Sequence, residues 1–168
     1  MPNQPTTQTY IFGMADITFG ESKLPRLADA AVLKIEPEFI DINSYELGTL
    51  ADKLVKSYKV TVDVVFEEET AEVMGLALPL TDGADSALGE SLRAKGKELK
   101  IHPRSAGDKT DFDLTIYKAV PSSGLERRYG LEQGKVAVTF EALVKDGAVA
   151  GEPDNIFKFG PKTQESLI

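Results

Sequence analysis

The sequence predicts a mainly β fold, an antiparallel β-sandwich or partly closed barrel with one short flanking α-helix. Three observations carry this. In residues 58–66, Tyr58, Val60, Val62, Val64 and Phe66 share one parity while Lys59, Thr61 and Asp63 take the other, the period of a strand with one face on a core. Two later stretches repeat the pattern: Val136, Val138, Phe140 and Ala142 within 135–144, and Phe112, Leu114 and Ile116 within 112–118. A single window changes period, where Val73, Leu76, Ala77 and Leu80 fall at i, i+3, i+4 and i+7, the stripe of a helix.

Taken in order, residues 1–9 form a polar arm without apolar patterning, and 10–19 make a first strand. Residues 31–42 make a second strand that carries Pro37, which cannot donate to a ladder; this predicts an edge strand, bulged or bent there. Residues 44–55 are expected to be a long inter-strand loop, too long for a tight turn, and they hold Tyr45, Leu47, Leu50 and Leu54. An exposed loop seldom keeps four large apolar side chains, so the segment either folds back on its own domain or docks on another chain. The strand at 58–66 leads to a helix expected at 69–78, whose start is favoured by Glu67, Glu68, Glu69 and Glu72 near the positive end of its dipole and whose end is marked by Pro79. Gly, Asp and Ser make 80–97 a surface loop, and further strands are expected at 99–102, 112–118, 135–144 and 156–159. A single β domain over 10–160 results, with residues 161–168 as a C-terminal arm.

Composition narrows the chemistry. There is no cysteine, so thiolate catalysis, disulfides and Cys-based zinc sites are excluded, and the one histidine, His102, cannot make a His-rich metal site. His102 lies in Leu99-Lys100-Ile101-His102-Pro103, at a strand end, and no serine sits in a G-x-S-x-G elbow; Gly89-Glu90-Ser91-Leu92-Arg93 comes nearest and lacks the second glycine. No phosphate-binding glycine loop occurs. The acids at 108–113 and 82–85 do not match a calcium-loop spacing, and no tryptophan offers a sugar platform beside a carboxylate pair. A net charge of −8 opposes phosphate gripping, and the cations at Arg127-Arg128 and between Arg93 and Lys100 are too few to reverse that. No apolar run is long enough to span a bilayer, and the N-terminus has no secretory pattern, so synthesis in the cytoplasm is expected. The chain reads as a protein that is not an enzyme, with no cofactor and no metal.

Four segments then carry a resemblance. They are Gly13-Met14-Ala15-Asp16-Ile17-Thr18-Phe19-Gly20, Leu33-Lys34-Ile35-Glu36-Pro37 leading into the long loop, Asp52-Lys53-Leu54-Val55-Lys56-Ser57-Tyr58-Lys59-Val60-Thr61-Val62 followed by the helix, and Asp113-Leu114-Thr115-Ile116-Tyr117-Lys118-Ala119-Val120-Pro121 with Val138-Thr139-Phe140-Glu141-Ala142. In this order the sequence resembles the major tail tube proteins of long-tailed bacteriophages and prophage-like elements. The resemblance implies a structural virion protein that assembles into stacked hexameric rings, a tube through which DNA is ejected without specific binding. It implies that the 44–55 segment reaches a neighbouring subunit, with Tyr45, Leu47, Leu50 and Leu54 as interface residues, and that both terminal arms help to stack rings. Implied partners are copies of the chain itself, the tape measure, tail-tip and terminator proteins, with no membrane; the assembled location is the virion tail. The alternatives are a related injection-system tube protein and a β-sandwich ligand-binding module.

Overall fold

The computed structural model describes residues 13–78, 89–124, 134–152 and 154–161. Within them, strands β1 (Ala15–Phe19), β2 (Ser22–Lys23), β3 (Val32–Ser44) and β4 (Thr49–Phe66) precede helix α1 (Ala71–Ala77). Strands β5 (Lys97–Pro103), β6 (Leu114–Pro121), β7 (Val136–Leu143) and β8 (Phe157–Phe159) follow it. The described strands form one eight-stranded antiparallel sheet in the order β2-β1-β5-β6-β7-β4-β3, with β8 paired to β6. Residues 114–116 pair with β5 on one edge and β8 on the other, while Lys118 to Pro121 pair with β7. One edge of β6 thus takes two partners end to end.

The alternating residues make the core as expected. Val60, Val62, Val64 and Phe66 from β4 and Val136, Val138 and Phe140 from β7 are all buried, and their ladder sets Val62 opposite Phe140, Val64 opposite Val138 and Phe66 opposite Val136. The sheet curls without closing into a barrel. The segment 24–31 spans its two ends, where Leu24 N–H donates to Ile17 O (2.8 Å), Ala28 N–H to Val65 O (2.7 Å) and Glu67 N–H to Arg26 O (3.1 Å).

Helix α1 packs on β7 and buries Val73 and Ala77. Its N-cap is Thr70, whose side-chain oxygen accepts from Val73 N–H (3.3 Å) and satisfies one of the donors left open in a first turn. Glu72 sits in that first turn. Val73, Leu76 and Ala77 of the sequence stripe all contribute to the core or its margin.

Four expectations change. Residues 44–55 are not a long loop: the chain turns at 45–48, and Thr49 already begins β4. Tyr58, read as a core residue by parity, is half exposed, because the core ends at Val60. Phe112 lies in a turn before β6, which begins at Leu114. Asp113 and Thr115, whose parity opposite Leu114 and Ile116 predicts the solvent side, are buried. Pro37 lies in β3, at the end of the strand order, and the irregularity expected there is a register shift between Glu38 and Phe39. The terminal arms over 1–9 and 162–168, Pro79, Leu80, residues 81–88 of the surface loop with the acids at 82–85, and Arg127-Arg128 lie outside the described residues. Of the rest of that loop, Leu92–Lys95 is a 3-10 turn.

Candidate assembly interface

β7 accompanies β4 only from Thr61 to Phe66. Beyond that point β4 and β3 continue alone, paired to each other as far as Ser44 and Thr49. Among residues 36–59 only Ser44 is less than exposed. This two-stranded arm extends the chain by roughly 25 to 30 Å at the usual rise of a strand.

The four residues singled out from the sequence all lie on the arm. Tyr45 and Leu47 occupy its turn, fully and 78% exposed, and Leu50 and Leu54 lie on β4, about half exposed. The turn is closed by Gly48 N–H donating to Ser44 O (2.9 Å) and by Leu47 N–H donating to Ser44 Oγ (3.3 Å). Gly48 has φ +62°, a left-handed conformation that a side chain disfavours. The structure adds five apolar residues that the sequence reading left unassigned to this surface, Phe39, Ile40, Ile42, Val55 and Tyr58, each between 42% and 50% exposed. Their signal was present: Phe39-Ile40 and Leu54-Val55 are adjacent apolar pairs, which no one-sided strand produces.

Cross-strand partners share a face, and successive residues alternate. The register therefore sorts the arm. Phe39 with Val55 and Pro37 with Tyr58 continue the core side of the sheet, while Ile40 with Leu54, and Ile42 beside them, occupy the opposite side. Both faces are apolar.

Charges hold the register rather than supply chemistry. Lys53 Nζ lies 3.3 Å from Asp41 and 5.3 Å from the Phe39 ring centre, and Lys56 Nζ lies 3.3 Å from Glu38, which also accepts from Ser57 Oγ (2.9 Å). The Ser57 hydroxyl first, and Lys56 second, hold the Glu38 carboxyl below the ordinary range. At the base of the arm Asp63 accepts from Lys34 Nζ (2.5 Å) and from Thr139 Oγ1 (2.7 Å), which joins β3, β4 and β7. Exposed pairs of this kind contribute little to stability but penalise a slipped register.

Among the described residues the lone histidine is engaged at both ring nitrogens. His102 Nδ1 faces Asp113 Oδ1 (2.5 Å) and its Nε2 faces Gly107 O (2.8 Å), so the nitrogen that a catalytic triad would aim at a nucleophile is spent on a carbonyl. A cleft of about 450 Å³ beside β1 is lined by Asp16, which binds Lys23 (3.1 Å) and Arg104 (2.8 Å), and by Arg26 facing Glu67 (3.6 Å). Among the described residues no three His, Asp or Glu side chains converge as a metal site requires.

No family model and no curated protein matches the chain by sequence. Solved structures do match by shape. The sheath/tube terminator of an extracellular contractile injection system, PVC, in its extended state, superposes with a TM-score of 0.54 at 13% identity, over 81% of this chain and 94% of that one. The tube-terminating cap of the anti-feeding prophage superposes with a TM-score of 0.54 at 14% identity, over 84% of this chain and 94% of that one. This chain shares its fold with these two terminators. The mainly β fold with one helix among the described residues, expected from the sequence, is thus shared with a sheath/tube terminator and with a tube-terminating cap.

Proposed function

We propose that this chain is a structural subunit of a tail tube or injection tube, that copies of it close into hexameric rings which stack into a hollow conduit, and that the β3–β4 arm docks each subunit on its neighbour. The observation that carries this reading is the arm itself. Isolated two-stranded hairpins are marginal in water, and an arm with apolar residues on both faces favours a partner that covers it. A heterologous contact of this kind repeats from copy to copy, and a repeat whose rotation closes gives a ring. The fold shared with two tube-terminating proteins, and a site without catalytic geometry, support a structural role over an enzymatic one. A net charge of −8 suits a conduit along which DNA or another polyanion slides without adhering. In this reading the subunit also meets tape measure, tail-tip and terminator proteins during assembly, and it resides in the tail of the finished particle.

A second reading is favoured by a specific observation: the two structures named above are terminators, so the chain would form one capping ring rather than a continuous tube. Negative-stain electron microscopy of the purified protein over a concentration series separates the two. Tubes that lengthen with concentration support the tube subunit, and rings that never stack support the terminator. A protein that stays monomeric at high concentration, even with tail-tip initiators added, overturns both.

A further inference from the structure

His102 is placed for a task unrelated to catalysis or to the arm. Each of its ring nitrogens faces an acceptor, Nδ1 the buried Asp113 carboxylate (2.5 Å) and Nε2 the Gly107 carbonyl (2.8 Å). A neutral imidazole carries one N–H and can satisfy only one of these, whereas an imidazolium satisfies both. Both acceptors belong to one excursion between β5 and β6, Gly107 inside it and Asp113 at its far end. That excursion runs through a 3-10 turn (Arg104–Ala106), reverses at Gly107 with φ +61°, and returns at Asp113. Residues 107–111 are exposed along it.

Other ties of the excursion to the sheet include those near its two ends. Arg104 is held by Asp16 of β1, at 2.9 Å from Nε and 2.8 Å from a terminal nitrogen, and its N–H donates to Met14 O (3.1 Å). Asp113 keeps Lys100 of β5 (3.0 Å), and its backbone oxygen accepts from Gly160 N–H (2.9 Å). Gly107 N–H makes only a long bond to Arg104 O (3.3 Å). His102 thus ties Gly107, inside the excursion, to the sheet.

We propose that protonated His102 is a clasp that holds residues 104–113 against β5, and that its neutralisation releases this segment at Gly107. When the ring loses a proton, the N–H that stays is the one facing the Asp113 carboxylate. Nε2 is then a lone pair opposite the lone pairs of Gly107 O, and that contact opens. Asp113 remains held by Lys100, so release is confined to residues 107–112. The charged groups around the ring set where this happens: Asp113 favours the imidazolium, Lys100 opposes it, and Asp16, directly across on β1, is engaged by Lys23 and Arg104. In keeping with this geometry, the hydrogen bond to Asp113 holds the His102 pKa above its ordinary 6.5. A raised folded-state value means that the stabilisation is full below that ordinary value and is lost as pH rises through the folded one.

The test combines ring-nitrogen NMR with amide hydrogen exchange, expressed as protection relative to each residue's intrinsic rate, between about pH 5 and about pH 9. Expected are two protonated ring nitrogens at the acid end, and a loss of protection of about tenfold at the Gly107 and Lys109 amides, which donate to Arg104 O (3.3 Å) and Ala106 O (3.2 Å), as His102 titrates, as befits one charge-assisted bond. His102→Gln, which is uncharged throughout, removes the step. Protection that does not follow the ring, or a step that persists in His102→Gln, overturns the clasp. Should that variant not fold, an Nε2 without a proton at the acid end of the wild-type titration is sufficient to overturn it.

Discussion

Phe19 of β1 and Phe140 of β7 meet with ring centres 5.1 Å apart, tilted by 49°, although β5 and β6 lie between their strands in the sheet. Across a flat sheet three strand spacings would separate them by about 14 Å. The contact measures how far the sheet curls, and it places both rings at the centre of the core.

Phe140 is fully buried, so Phe140→Ala leaves a cavity that the opposed strands cannot collapse into. The expected cost is about 3 to 5 kcal/mol in urea unfolding, with Phe140→Leu costing less than half as much. A loss below about 1 kcal/mol for the alanine variant would mean that the curl does not depend on this contact.

The arm should separate stability from assembly. Leu47→Asp with Leu50→Asp is expected to leave the circular dichroism spectrum unchanged and the unfolding free energy within about 1 kcal/mol, since both side chains are already exposed. Rings and tubes should disappear from electron micrographs. Normal tubes from this double variant would remove the arm turn from the proposed interface.

The two faces of the arm give a finer test. Phe39→Ser with Val55→Ser strips the side continuous with the core, and Ile40→Ser with Leu54→Ser strips the other. If both faces are covered in the assembly, each pair weakens it, read as a rise of about tenfold or more in the concentration at which particles form. An arm docked on one side only would tolerate one of the two pairs.

Asp63 governs an acid-side dependence. Its carboxyl is held below the ordinary range, first by the Lys34 ammonium and then by the Thr139 hydroxyl. A lowered folded-state pKa contributes stability above the ordinary carboxylate value, and that contribution is lost as pH falls through the folded one. Urea midpoints measured from about pH 6 down to about pH 3 should therefore fall less steeply in Asp63→Asn than in the wild type. Equal slopes would show that the Lys34–Asp63–Thr139 junction does not hold the base of the arm.

Hydrophobic period fixed much of this protein. Val60, Val62, Val64 and Phe66, then Val136, Val138 and Phe140, were legible as core because a pleated strand sends alternate side chains to one side, and Val73 with Ala77 were legible as a helix face. Pro37 announced an edge strand by its missing donor. The composition also excludes thiolate chemistry and a His-rich metal site, since there is no cysteine and a single histidine.

Tertiary structure decided the rest, because pairing depends on residues far apart in the chain. The period of β4 continues through Tyr58, and nothing local states that β7 stops opposite Thr61 and leaves the strand bare beyond it. Leu50 and Leu54, four apart, would share a face in a regular strand, but the register shift between Ile42 and Asn43 sets them on opposite sides. Val55 and Tyr58, three apart, would face opposite ways, and the shift at Glu38 and Phe39 brings them together. Sequence supplied an apolar segment with adjacent apolar pairs; two register shifts in the pairing with β3 decided which of its residues share a face.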